Sequence, residues 1–167
     1  KCNCFILVDT IFFMKRLFFL FLLLMSSLLL PAQKTLIWCG SLIDGISNEP
    51  KSNMTIIIEK NKIVGVENGF SKAGPADKAI GLKSKTVTPG WIEMHVHMEH
   101  ETNPNRYMET FTFNPADFAF QSVKFSEVTL LTGFTTVRDL GGSGVNISLR
   151  NAINKGWIKG PRVFTAG

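Results

Sequence analysis

Residues 89–97, Pro-Gly-Trp-Ile-Glu-Met-His-Val-His, carry the strongest structural signal in this chain. The Pro-Gly pair predicts a turn into a strand, and the strand ends in two histidines separated by one residue. Because side chains alternate along a strand, we expect Glu93, His95 and His97 on one face. The opposite face is then wholly apolar, with Ile92, Met94, Val96 and Met98. Such a strand is typical of a parallel α/β barrel, whose outside is covered by helices.

The two histidines are candidate metal ligands. Two imidazoles at the C-terminal end of one strand can bind the same divalent cation, and zinc is the metal we expect, although iron, nickel and cobalt also accept imidazole. The alternative is that both are structural histidines of a core. The Pro-Gly turn, the apolar back face and Glu93 favour His95 and His97 as ligands. His100 follows in a predicted loop and has only a weak claim as a substrate contact.

After the histidines the pattern alternates between helix and strand. Asn114 and Pro115 predict a helix start, as cap and first helical residue, and Gly133 predicts its end. The spacing of its apolar residues predicts one buried face made of Ala116, Phe120, Val123 and Leu130. The elements that we expect next are a strand over 134–140, a helix over 149–155 and a strand over 162–165. This order predicts parallel βαβ winding.

Residues 34–88 predict a different organisation, with short strands separated by Gly, Asn, Pro and Ser. The predicted strands cover residues 36–39, 54–59 and 63–66, and we expect residues 86–88 to lead into the strand that begins after Pro89-Gly90. We expect a hairpin turn at residues 60–62, with Asn61 in the positive-φ conformation that asparagine tolerates. Strands this short bury little area alone, so we expect them to be part of a larger sheet domain.

Three ordered motifs carry a resemblance to a known family. They are residues 89–101, then 133–142 (GFTTVRDLGG), then 160–167 (GPRVFTAG). The chain from about Thr35 onward resembles the metal-dependent amidohydrolase superfamily, most closely its imidazolonepropionase-like and Xaa-Pro dipeptidase-like members. One departure is Glu93, because the family pattern usually has Asp at this position. Glu93 could orient a ligand histidine or fill the layer beneath the metal.

The resemblance implies an α/β fold of a particular kind. It implies that residues 34–88 are part of a small β-sandwich and that residues 89–167 are the first βαβαβ portion of a TIM-like (β/α)8 barrel. A complete barrel needs about 250 residues, so we expect less than half of it here. The resemblance also places the remaining ligands and the general base beyond residue 167: often a carboxylated Lys, two further His and an Asp.

The function that follows is hydrolysis of C–N bonds, in amides, peptides or cyclic amides, by a metal-activated water. We expect one or two divalent ions per complete site and a small-molecule or dipeptide substrate. The chain alone would then be inactive, because two histidines do not complete a catalytic metal site. The alternative is a non-catalytic binding protein derived from a barrel, or a truncated inactive product. Substrate, metal identity and oligomeric state stay open.

The rim next to His97 offers further candidates. Arg138 and Asp139 end the second predicted barrel strand, and alternation allows only one of them to face the barrel mouth. That residue could bind substrate, or either side chain could fix the following loop. The loop, residues 141–144 (Gly-Gly-Ser-Gly), lacks the Lys-Ser/Thr ending of a phosphate-binding P-loop. We expect a flexible βα loop.

The N-terminal residues predict export. Met14, two basic residues and an apolar run ending near Ala32 resemble a cleaved signal peptide, so we expect residues 1–13 to lie upstream of the start and Gln33 to begin the mature protein. The apolar run is shorter than the roughly 20 residues of a spanning helix, although a retained anchor is the alternative. The expected location is periplasmic or secreted, with membrane contact only during export.

Composition excludes one class of partner. The net charge of +5 falls to +3 without residues 1–32, and no basic cluster is interleaved with aromatic residues. Nothing therefore indicates nucleic-acid binding. Cys39 would be the only cysteine of the mature chain, which predicts a packing role and no internal disulfide.

Overall fold

The computed structural model describes residues 14–18, which are helical, and residues 33–166. The rest of the predicted signal peptide lies outside the described residues. Within the described part of the chain, no helix combines the length and the apolarity needed to cross a membrane. The described residues form two compact units, one ending at Val87 and one formed by Ile43–Asn48 and the chain from Thr88 onward.

The first unit is a four-stranded sheet with the order β3-β2-β1-β4. Its strands are β1 (Lys34–Leu42), β2 (Lys51–Glu59), β3 (Lys62–Asn68) and β4 (Lys78–Val87). Strand β1 is antiparallel to β2 and parallel to β4. Strands β1, β2 and β3 are longer than predicted, because ladder hydrogen bonds extend them into flanking polar residues. Strand β4 was not predicted as a strand of this sheet.

The core of this sheet centres on Cys39, Leu42, Met54 and Ile56, which are all buried. A register shift between Cys39 and Ser41 lets the backbone of β1 approach β4, and a Cβ at Gly40 would collide with the backbone carbonyl of Lys83. The prediction for the β2–β3 turn is wrong in one detail: Lys60, with φ 56°, adopts the positive-φ conformation, and Asn61 does not.

The second unit alternates strands and helices. Its elements are β5 (Trp91–Val96), α1 (Arg106–Thr112), α2 (Pro115–Leu131), β6 (Phe134–Asp139), α3 (Val145–Asn154) and β7 (Arg162–Thr165). The three strands form a parallel sheet in the order β5-β6-β7, as the sequence predicted. Helix α1 was not predicted; none of its residues is buried, so no amphipathic period marks it.

Helix α2 begins as predicted. The Asn114 side chain accepts hydrogen bonds from the N–H groups of Ala116 and Asp117, and the backbone N–H of Asn114 donates to the Asp117 carboxylate. The predicted buried face is wrong for Ala116 and Phe120, which are exposed, Phe120 to 77%. Val123 and Leu130 are partly buried, and the fully buried residues of the helix are Ser122 and Ser126.

Small side chains are needed on this helix face because the chain before β7 lies close to it. The Ser126 hydroxyl donates to the carbonyl of Lys159, and a Cβ at Gly160 would collide with Ser126.

Helices α2 and α3 pack on one face of the β5-β6-β7 sheet. The buried cluster there consists of Met98, Val137, Leu149 and Val163, with Val123 of α2 and Ile153 of α3 against it. The chain is therefore a mixed α/β protein in which one sheet carries helices on one face.

Strand β5 does not alternate as predicted. In register, Glu93 lies beside Val137, and Val96 lies beside Asp139. Val137 and Asp139 are two apart and share the helix-covered face, so Glu93 and Val96 share it too, although they are three apart. Strand β5 thus has one residue more than β6 between these two pairs, and this irregularity is a β-bulge.

The bulge leaves Ile92 and Met94 on the open face, with 62% and 56% of their surfaces exposed. The prediction that the two residues share a covered face with Val96 and Met98 is therefore wrong.

Candidate metal centre

His95 and His97 lie on either side of Val96 at the C-terminal end of β5. Because Val96 belongs to the helix-covered face, its two neighbours point to the open side of the sheet. The ring centroids of His95 and His97 are 5.5 Å apart, and the ring planes meet at 73°. Both side chains are exposed. Alternation about Val96 thus places two accessible imidazoles side by side.

A backbone carbonyl orients the ring of His97. Its Nδ1 lies 2.9 Å from the carbonyl oxygen of Gly141 in the loop after β6. A carbonyl only accepts hydrogen bonds, so in the neutral ring Nδ1 carries the proton and Nε2 keeps its lone pair. Metal-binding histidines commonly have this arrangement, in which one ring nitrogen donates to the protein and the other binds the ion.

Glu93 does not contact either ring through a hydrogen bond. Its Oε1 accepts from the backbone N–H of His95 at 3.1 Å, across the bulge. Two roles were predicted for Glu93: orienting a ligand ring, or filling the layer beneath the metal. The hydrogen bond to the backbone of His95 corresponds to neither of them. The carboxylate satisfies a backbone donor that the bulge frees from the ladder.

His100 packs against His97, the second of the two histidines. Its backbone N–H donates to the carbonyl of His97 at 3.5 Å, and its ring stacks on that of His97 with centroids 5.7 Å apart and planes 8° from parallel. Burial lowers the pKa of the His100 ring, and the positive charge of Arg106 lowers this pKa further. The ring therefore stays neutral to lower pH than a solvated histidine and packs on His97.

Asp139 is 1% exposed and fixes the loop around His97. Its Oδ2 accepts from the N–H of Met98 at 3.0 Å, and its Oδ1 accepts from the N–H of Gly141 at 2.9 Å. Of the two candidates at the rim, Asp139 is thus the residue that fixes the following loop. Arg138, its neighbour, is exposed on the open face.

Glu99 is a buried acid that sequence reasoning missed. Both of its carboxylate oxygens accept from the N–H of Ser143, and Oε1 also accepts from the N–H of Asn146 in the first turn of α3. The 141–144 loop is therefore bonded to a carboxylate, and the expectation of a flexible loop is not supported. Unsatisfied N–H groups at a helix start attract an anion, and this was the available signal.

The two histidines fit a divalent cation as two of its ligands. Both are accessible and close together, and His97 is held in the tautomer that leaves Nε2 available. Within residues 14–18 and 33–166, no group of three or more His, Cys, Asp or Glu is arranged to bind a metal. The described residues therefore bring two candidate ligands together and no third.

Comparison with protein families supports the predicted resemblance. Residues 86–167 match the model of the Amidohydrolase family. Among curated proteins, the chain is 30% identical to an ochratoxinase from Aspergillus niger over 139 residues, which cover 81% of this chain and 28% of that protein. It is also 42% identical over 53 residues to an imidazolonepropionase from Fusobacterium nucleatum, or 30% of this chain and 13% of that protein.

Solved structures give the same result. A Xaa-Pro dipeptidase with methionine bound in its active site aligns with a TM-score of 0.74 and 40% identity, over 81% of this chain and 33% of that chain. A prolidase complexed with N-methylphosphonate-L-proline aligns with a TM-score of 0.66 and 30% identity, over 81% and 32%. The chain thus spans about a third of the length of these relatives, and its fold resembles their corresponding part.

Proposed function

We propose that this chain, whose residues 86–167 belong to the amidohydrolase family, is the N-terminal part of a metal-dependent hydrolase of C–N bonds. The observation that carries the proposal is the pair His95 and His97, with the second ring oriented by the Gly141 carbonyl. In this proposal the sheet β5-β6-β7 begins a (β/α)8 barrel, and the strands before Thr88 contribute to a small β-sandwich.

His95 and His97 would hold the cation through neutral imidazole nitrogens, and zinc is the metal that we propose. When bound, a divalent cation supplies a Lewis acid that polarises a carbonyl and makes a water molecule nucleophilic at neutral pH. The role of this chain is to present two ligands at the open side of the sheet. Asp139 and the Gly141 carbonyl would keep one of them in position.

The other ligands and the general base are proposed to lie beyond residue 167. This chain alone would then be inactive, because a catalytic metal site needs three or more protein ligands and an open position. The names of the similar proteins support a small amide substrate, and we propose a dipeptide-like one. The alternative, a barrel-derived protein without catalysis, would lack those later residues.

The test is metal analysis of the complete protein. We expect the His95→Ala, His97→Ala double variant to lose stoichiometric metal by elemental analysis, and hydrolysis of Xaa-Pro dipeptides to disappear with it. His100→Ala is the matched control, because His100 stacks on His97 but is not a proposed ligand. Unchanged metal content in the double variant would refute the ligand role.

We also propose export through a signal peptide that runs from Met14 to Ala32. Its support is the basic start followed by a short apolar run. N-terminal sequencing of the protein from its source tests this, with Gln33 expected as the first residue. A chain that keeps Met14 and fractionates with membranes would instead indicate a retained anchor.

A further inference from the structure

The open face of the β5-β6-β7 sheet is mostly apolar. It carries a hollow of about 250 Å³. The hollow is lined by Ile92, Met94, Thr136, Val137, Arg138 and Phe164. A second hollow at the C-terminal ends of β6 and β7 also includes Arg138. Arg138 therefore lines both hollows.

Arg138 lies next to the proposed metal ligands. Val96 and Asp139 are partners in the parallel ladder of β5 and β6. The residues before them, His95 and Arg138, consequently occupy neighbouring positions on the opposite, open face. Arg138 is thus the cationic side chain of this sheet that is nearest in register to His95.

No hydrogen bond or ion pair within residues 14–18 and 33–166 satisfies the guanidinium of Arg138. Arg162 gives a useful contrast: it is exposed on the same sheet, and it donates to the Thr136 hydroxyl at 3.5 Å. The register places Arg162 beside Thr136, at the start of β7 and away from the histidines. Arg162 is thus bonded within the sheet, whereas Arg138 keeps all of its donors available.

A guanidinium in this setting is suited to a planar anion. Arg presents donors in a fork that matches a carboxylate through two parallel N–H···O bonds. Apolar side chains line the hollow beside Arg138, so a substrate that covers them would exclude water from the pair and strengthen it. A carboxylate bound by Arg138 would therefore lie next to the candidate metal ligand His95.

We propose that Arg138 binds the carboxylate of the substrate, so that the enzyme selects amides carrying a carboxylate close to the scissile bond. This inference rests on the proposed function and specifies its substrate class. The competing occupant is an acidic side chain of the protein itself, which would make Arg138 part of a structural ion pair.

The experiment compares two matched substrates of the complete protein: a dipeptide with a free C-terminal carboxylate, and the same dipeptide as its C-terminal amide. We expect Arg138→Met to lower kcat/KM for the carboxylate substrate about 100-fold, because the bound carboxylate loses its bidentate charged partner. The value for the amide should stay near that of the wild type. Arg138→Lys should fall between, because ammonium cannot form the bidentate pair.

Arg162→Met is the matched control on the same sheet, and it should leave the ratio of the two kcat/KM values unchanged. An equal loss for both substrates in Arg138→Met, with a lower unfolding temperature, would overturn the proposal and indicate an ion pair within the protein.

Binding calorimetry separates failure of this inference from failure of the proposed function. If the protein hydrolyses neither substrate, N-acetylglycine and N-acetylglycinamide serve as probes. Selective binding of N-acetylglycine that Arg138→Met abolishes would support the carboxylate site without catalysis. Equal binding of both probes, or none, would overturn it.

Discussion

Asp139 and His97 bind the same residue, Gly141, from its two sides. The Asp139 carboxylate accepts from the Gly141 N–H at 2.9 Å, and the Gly141 carbonyl lies 2.9 Å from Nδ1 of His97. Asp139 also accepts from the N–H of Met98, the residue after His97. One buried carboxylate therefore holds the backbone at Met98 and at Gly141, the two positions next to the His97 ring.

We predict that Asp139→Asn weakens metal binding without removing either ligand. The amide has one acceptor oxygen where the carboxylate has two, so the N–H of Met98 or Gly141 loses its partner and the Gly141 carbonyl shifts. Loss of such an outer partner typically costs 10- to 100-fold in metal affinity, which a competitive chelator titration measures. The same titration on Glu101→Gln, an exposed acid nearby, serves as control. An affinity equal to that of the wild type would contradict this role.

Glu99→Gln should destabilise the second unit. The Glu99 carboxylate is 5% exposed and accepts from the backbone N–H groups of Ser143 and Asn146. A glutamine amide has one acceptor oxygen and would direct a donor at these N–H groups. Loss of one buried, charge-assisted bond costs about 1.5–3 kcal/mol of unfolding free energy. Urea unfolding measures the cost, and a change below about 0.5 kcal/mol would mean that water replaces the lost acceptor.

The elements of the second unit were largely predictable because their signals are local. Asn114 and Pro115 start α2, Gly133 follows its end, and the apolar runs of β6 and β7 lie where the structure has strands. The face of α2 was not predictable, because it depends on how closely Gly160 approaches Ser126. That approach depends on the tertiary structure, which the spacing of apolar residues along the helix does not encode.

The candidate site was predictable only in its two imidazoles. The bulge in β5 changes which residues share a face, and strict alternation cannot anticipate it. The roles of Asp139 and Glu99 depend on backbone N–H groups that lie about 40 positions away in sequence. Backbone donors are present at nearly every residue, so the sequence pointed to Asp139 as a loop-fixing candidate without its partners and did not single out Glu99.

Asp77 should stabilise the first unit at neutral pH and lose this effect at acid pH. Its carboxylate accepts from the backbone N–H groups of Lys34 and Gly74 at 3.0 and 2.9 Å, and these bonds lower the pKa of Asp77. A carboxyl with a lowered folded pKa stabilises the protein above its usual pKa, and this contribution is lost as the pH falls through the folded value.

We therefore predict that wild type and Asp77→Asn differ in urea midpoint at pH 6 and begin to converge below about pH 4, the usual range of an Asp carboxyl, as the pH approaches the lowered folded pKa. The wild type should be the more stable at pH 6. Midpoints that differ by the same amount from pH 6 to pH 2 would show that the two hydrogen bonds do not depend on ionisation.

Cys39 should be unreactive while the first unit is folded. Its side chain is fully buried in the core of β1 and β2, and burial raises the pKa of the thiol. The attacking species is the thiolate, so both access and ionisation oppose reaction. With Cys2→Ser and Cys4→Ser as background, we expect a disulfide reagent at pH 8 to modify Cys39 at least about 100-fold more slowly in native buffer than in guanidinium chloride, since reaction requires local opening. Equal rates in the two solvents would mean that β1 opens freely and that the four-stranded sheet is not a stable core.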